Sequence, residues 1–178
     1  YLNSTCQPIV LSSVFIIVAY PTLLSRHWLT KNILIAFVCA SPVLLGWFAG
    51  HRLHPSVPYG ITVTFFAYLA REIVKDIQDR RVNNGYRHTL PLTFGLTAAR
   101  QITAGVLTLA LATLVVFGFK ILGSSPLALI PCAIVGWYFW QAIQSLGFQE
   151  TGTEERESKQ ILMGSFWLML TFMTLIFG

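Results

Sequence analysis

Six long apolar runs, nearly free of charge, constrain this chain more than any other feature. They cover approximately Pro8–Leu24, Asn32–Gly50, Val57–Leu69 with a helical continuation to Asp79, Arg100–Ile121, Pro126–Leu146 and Gln160–Phe177. Crossing roughly 30 Å of hydrocarbon takes about 20 residues at 1.5 Å each. Within hydrocarbon, only a helix or a closed barrel satisfies its own backbone N–H and C=O groups. Barrel strands alternate over about ten residues, whereas these runs stay apolar throughout. The runs therefore predict an all-α integral membrane protein with six transmembrane helices, a single membrane domain over residues 1–178. Composition agrees, since 54% of the residues are hydrophobic and 11% charged, with a mean hydropathy of +0.65; a soluble domain carries about a quarter charged residues. The expected surroundings are a lipid bilayer, and no feature points to nucleic acid.

Basic residues set the orientation, because Lys and Arg of short loops favour the cytoplasmic side. Arg26, Lys31, Arg71, Lys75, Arg80, Arg81, Arg87, Arg100, Arg156 and Lys159 fall on one side of the predicted spans, and only Arg52 and Lys120 on the other. The first side is read as cytoplasmic, stromal or matrix. Both chain ends then lie outside, which predicts either an odd number of spans before Tyr1 or a processed subunit.

Cys6, Cys39 and Cys132 are far apart and mostly within spans, so they read as small apolar residues. His51 and His54 lie on the outer face without acidic partners. His27 and His88 lie on the inner face, where an interfacial role fits better than metal ligation. Gly-rich phosphate loops, nucleophile elbows and haem-attachment motifs are absent from the sequence.

The chemistry concentrates in REIVKDIQDRRVNNGYRHTLP, Arg71 to Pro91. Glu72, Asp76 and Asp79 are the only acids in the first 149 residues; Glu150, Glu154, Glu155 and Glu157 crowd one later polar segment, QETGTEERESKQ, read as a solvated inner-face connection. Positions 72, 76, 79 and 83 are spaced to share one helix face, which makes Glu72, Asp76, Asp79 and Asn83 a candidate set of oxygen ligands. Near a helix C-terminus these carboxylates oppose the macrodipole, and a divalent cation or a cationic partner would offset the cost. Mg²⁺ takes few carboxylates and fills its shell with phosphate and water. Arg71, Lys75, Arg80, Arg81 and Arg87 surround the stripe, and cations there, Arg71, Lys75, Arg80 and Arg87 among them, could bind diphosphate oxygens directly. The plainer alternative is a juxtamembrane helix whose acids simply pair with these basic residues.

The run REIVKD-I-x-D, followed by G-x-x-x-T-L-P and Gly95, resembles the second aspartate-rich motif of the UbiA-type intramembrane prenyltransferases, in particular the branch acting on geranylgeranylglyceryl phosphate. Upstream, AYPTLLSRHWLTKNILIAF is similar to a family segment reading Tyr-Ser, Leu-Lys-Arg and then Gly-Asn, with Tyr20, Leu24, Arg26, Asn32 and Ala36 in matching places. The resemblance implies a nine-helix fold around an inward-opening cavity, of which this chain resembles helices four to nine. It is N-terminally incomplete relative to that pattern by three helices, the odd number that the charge bias requires. The resemblance also implies transfer of a prenyl group from its diphosphate to a lipid or aromatic acceptor with Mg²⁺, and adds Tyr20, Arg26 and Asn32 to the diphosphate-binding residues.

Departures from the pattern fall on the diphosphate site. No acid precedes Glu72, so the first aspartate-rich motif is not in this chain. Asn83 stands for the last aspartate of the second motif, Ser25 for a lysine and Pro21 for a serine. Two readings follow. The chain is part of a prenyltransferase, inactive alone because its diphosphate site is degenerate. Alternatively, it is a non-catalytic UbiA-like structural subunit of a larger complex of membrane proteins. A carrier or channel fits poorly, because no predicted span has a charge at its middle.

Overall fold

A computed structural model describes residues 4, 6–20, 27–49, 55, 57–80, 88–122, 126–147 and 154–177. Among these the chain is all-helical: α1 (Cys6–Ala19), α2 (Trp28–Ala49), α3 (Val57–Gln78), a short α4 (Leu90–Phe94), α5 (Leu96–Leu122), a 3-10 turn (Pro126–Ala128), α6 (Leu129–Gly147) and α7 (Glu154–Phe177). Every predicted apolar run is helical over most of its length. Two stretches, Trp28–Phe48 and Leu96–Ile121, are long and apolar enough to cross a bilayer by length and composition. Three helices begin well before the apolar runs: α2 and α5 four residues before Asn32 and Arg100, and α7 six residues before Gln160, taking in part of the supposed connection.

Helix α3 is the hub, packing on α2, α5 and α7, while α5 and α7 both pack on α6 and α1 lies on α2. The main core gathers Val63, Ala67, Ala70 and Val74 of α3 with Leu107, Ala110, Leu114 and Phe117 of α5, Val135 and Phe139 of α6, and Ile161, Leu168 and Phe172 of α7. Lipid tails are as apolar as leucine, so packing density rather than escape from water holds such helices together, and small residues let backbones approach. Gly60 illustrates this, because a Cβ there would overlap the ring of Phe172, and one at Gly164 would lie 2.6 Å from Phe139 Cε1. Gly60→Ala is expected to destabilise the bundle by about 1–3 kcal/mol through overpacking, seen as a lower thermal midpoint in detergent. An unchanged midpoint would mean that Phe172 swings aside freely.

Several hydroxyls inside these helices are satisfied locally. Thr64 Oγ1 donates to the Gly60 carbonyl at 2.9 Å, Thr103 Oγ1 to that of Ala99 at 2.7 Å and Ser165 Oγ to that of Ile161 at 2.9 Å, the back-bonding expected where no water competes. Many bulky apolar side chains face outward instead, among them Phe15, Phe119, Ile130, Trp137 and Met169, as suits helices surrounded by hydrocarbon.

A second, smaller core of Ile73, Ile77, Leu90 and Ala99, with Trp28, Leu69 and Leu96 against it, joins the C-terminal end of α3 to the first turns of α2 and α5. The TLP motif builds this corner. Pro91 sits in the first turn of α4, where a missing N–H costs nothing, and the Leu92 and Thr93 amides donate to the Thr89 carbonyl at 3.1 and 3.0 Å. Gly95 then takes φ 86° and ψ 164°, a conformation essentially reserved for glycine, and the chain turns from α4 into α5.

Candidate functional site

The polar side chains of α3 lie where α3 ends beside the start of α2. Glu72 and Asp76, one helical turn apart, are both buried. Asp79 follows Gln78, the last residue of α3; its amide still donates to the Lys75 carbonyl at 2.8 Å, but its side chain is exposed. The predicted four-residue stripe thus appears among the described residues as a buried pair plus an exposed aspartate, and Asn83 lies outside them.

Each buried carboxylate already has cationic company. Lys31, in the first turns of α2, forms an ion pair with Asp76 Oδ1, with side-chain exposures of 6% and 4%. Asn32 Nδ2 donates to the other oxygen, Oδ2, at 3.2 Å. Lys75 Nζ reaches Glu72 Oε1 and Oε2 at 3.2 and 3.4 Å, and Arg71 Nη1 reaches Oε1 at 3.4 Å. Two carboxylates therefore face three protein cations, which removes both the mutual repulsion and the conflict with the α3 macrodipole. One oxygen is left over: Asn32 Oδ1 is buried and accepts no hydrogen bond among the described residues.

Of the residues expected to bind diphosphate, the structure gathers Arg71, Lys75 and Asn32 at this pole. Arg80 is half-buried just past Asp79, and Tyr20 is half-buried just past α1. Arg26, Arg87, Ser25, Pro21 and Leu24 lie outside the described residues, as do His51 and His54. His27 and His88 pair through their backbones in an isolated parallel bridge, tying the lead-in of α2 to that of α4. Lys31 was counted in the sequence only as an inner-face cation. Nothing in the local sequence marks it as the partner of Asp76, 45 positions away.

A second polar network was missed altogether. Arg100 of α5 is buried and reaches Glu154 Oε1 at 3.0 Å and Glu157 Oε1 at 3.7 Å. Ser145 Oγ of α6 donates to Glu157 Oε1 at 2.9 Å and accepts from Arg156 Nη2 at 3.2 Å. Gln160 Nε2 donates to Gln141 Oε1 at 3.0 Å, again joining α7 to α6. This corrects the reading of QETGTEERESKQ as a solvated connection: residues 154–160 are helical, and Glu157 is fully buried. Acids in a helix's first turn complement its macrodipole, a local cue to the helix start. Among the described residues of this segment Glu155, Arg156 and Lys159 are exposed, and Glu155 and Lys159 pair on the surface at 2.6 Å, with the Lys159 ammonium holding the Glu155 carboxyl below its usual range.

The carboxylates do not fit a divalent metal as they stand. Both oxygens of Asp76 and both of Glu72 already accept from protein donors, and no group of three His, Cys, Asp or Glu side chains able to hold a metal occurs among the described residues. An apolar groove of about 200 Å³ runs between α2 and α3, lined by Phe37, Ala40, Leu44, Ile61 and Phe65 with Ser41 and Thr62. A shallower groove of about 490 Å³ lies over α6 and α7, lined by Tyr138, Glu155, Arg156, Lys159, Gln160 and Met163. Neither is lined by Glu72 or Asp76.

A family model described as the UbiA prenyltransferase family matches residues 1–170. A digeranylgeranylglyceryl phosphate synthase of Methanothermobacter thermautotrophicus is 28% identical over 182 residues, a match covering 100% of this chain and 62% of that protein. Another protein of that name, from Haloquadratum walsbyi, is 31% identical over 147 residues, 75% of this chain and 49% of the relative. The chain thus spans less than two thirds of the length of these curated relatives. No solved structure matches significantly.

Proposed function

Because this chain belongs to the UbiA prenyltransferase family, we propose that it is a membrane-embedded part of a prenyl-transferring fold that holds a prenyl diphosphate at the pole formed by α2 and α3. The observation that carries this is the excess of cations at Glu72 and Asp76, three against two. Lys75 is the most exposed of them, at 43%, and could turn outward to phosphate oxygens while Arg71 remains on Glu72. The apolar groove on the same helix pair lies roughly 10–20 Å away along α2 and α3 at 1.5 Å per residue, which suits the prenyl tail. In this reading the six long helices span the bilayer as counterparts of family helices four to nine, with the pole on the cytoplasmic, stromal or matrix side. The acceptor is a lipid or aromatic group, and transfer requires groups beyond those that these 178 residues supply.

The test is binding of a non-hydrolysable prenyl thiodiphosphate to the purified chain, followed by quenching of tryptophan fluorescence. Saturable binding is expected, weakened by Lys75→Met. A charge-assisted hydrogen bond contributes about 1.5–3 kcal/mol, roughly a tenfold to hundredfold change in Kd. No binding in any buffer would sink the reading. The second reading, a non-catalytic subunit docked among other membrane proteins, is favoured by the saturation of Asp76 by Lys31 and Asn32, and it predicts that absence of binding.

A further inference from the structure

We propose that Lys31 is a resident counter-cation, its ammonium occupying at Asp76 the place that a divalent metal would take, so that this pole holds no metal ion of its own. The inference deepens the reading above and rests on it only for the identity of the anionic ligand. Three observations carry it. First, Lys31 and Asp76 belong to different helices and are both buried, so the pair is built into the helix packing rather than formed by chance on a surface. Second, Asn32 takes the remaining oxygen of Asp76 with its amide, leaving that carboxylate with two protein donors. Third, Asn32 Oδ1 is turned into the same buried region with no donor among the described residues.

Removing the ammonium would leave the Asp76 carboxylate, Asn32 Oδ1 and, one turn back on α3, Glu72. Those are the hard oxygen donors that Mg²⁺ or Mn²⁺ prefers. The pole is thus one side chain away from a metal site, and Lys31 decides what it binds. With the lysine present, the net positive charge favours an anion approaching Lys75 and Arg71. Without it, the carboxylates favour a cation.

Mn²⁺ is the probe, followed by electron paramagnetic resonance on the full chain in detergent after metal removal. The wild-type chain and Asp76→Asn should bind Mn²⁺ equally weakly. Lys31→Gln should gain one Mn²⁺ held at least tenfold more tightly, and Lys31→Gln with Asp76→Asn should lose it again. Asp76-dependent Mn²⁺ binding by the wild-type chain would overturn the proposal, as would a folded Lys31→Gln that gains none. Should Lys31→Gln fail to fold, the wild-type and Asp76→Asn comparison still decides. The prenyl thiodiphosphate is titrated in parallel with chelator present. Its failure to bind in any buffer overturns the reading of function, whereas the Mn²⁺ comparison alone decides the role of Lys31.

Discussion

Replacing Arg100 with methionine is expected to destabilise the protein by about 3–5 kcal/mol, the usual result of removing one partner from a buried ion pair. Arg100 is 2% exposed and Glu157 fully buried, so water cannot take over the lost guanidinium contacts. The cost lies in the stranded carboxylates rather than in the lost attraction. Methionine fills much of the same volume, which keeps a cavity from dominating. Thermal unfolding in detergent measures the loss, and a compensating set makes it specific: Arg100→Met combined with Glu154→Gln and Glu157→Gln should recover most of the midpoint. A midpoint for Arg100→Met equal to wild type would show that the network is solvated in the folded protein.

Purified alone, the chain is expected to give no measurable prenyl transfer. Ionising an allylic diphosphate places negative charge on the leaving group, so each contact that would neutralise it strengthens in the transition state and its loss falls on rate. One such electrostatic contact is worth about 10²–10³-fold. In the reading of the chain as a degenerate diphosphate site, Ser25 and Asn83 stand where the resembling motifs carry charged residues; no acid precedes Glu72, and Glu72 and Asp76 are engaged by Lys75, Arg71 and Lys31. Groups that act as a unit do not add simply, so the expected result is activity below detection rather than a particular fraction. Radiolabelled geranylgeranyl or farnesyl diphosphate, offered with glycerol-phosphate, quinone-precursor, haem and chlorophyllide acceptors, provides the assay. Turnover at an ordinary enzymatic rate by this chain without a partner would contradict the expectation.

The helices were legible because their signal is local and repeated: an apolar run about 20 residues long has little else to become in hydrocarbon. The glycine and proline of TLP and Gly95 were legible as a motif, and the structure supplies their physical reason in the φ of Gly95. What escaped was pairing across helices. Nothing local to Lys31 marks it as the partner of a residue 45 positions away, and Arg100 reads as one more inner-face cation until α7 is placed beside it. Of the stripe 72, 76, 79 and 83, the described residues give Glu72 and Asp76 as a buried pair and Asp79 as exposed just past the last residue of α3, and Asn83 lies outside them. The segment around Glu157 misled for a related reason. A dense cluster of charge signals water when read along the chain, while in three dimensions one of its acids sits against a buried guanidinium.

The two ends of the Arg100 network also differ in when they are made. Arg100 and Glu154 are 54 positions apart, and at about 5–20 residues per second of synthesis roughly 3–11 s separate the making of the two. Throughout that interval the contacts of Arg100 with the first turn of α7 are missing, and a guanidinium near the end of a helix is disfavoured by hydrocarbon and tolerated in the headgroup region. The contacts that tie α5 to the first turn of α7 therefore form only after both helices have been made. Sequence separation thus makes the Arg100 contacts among the last that this bundle can complete.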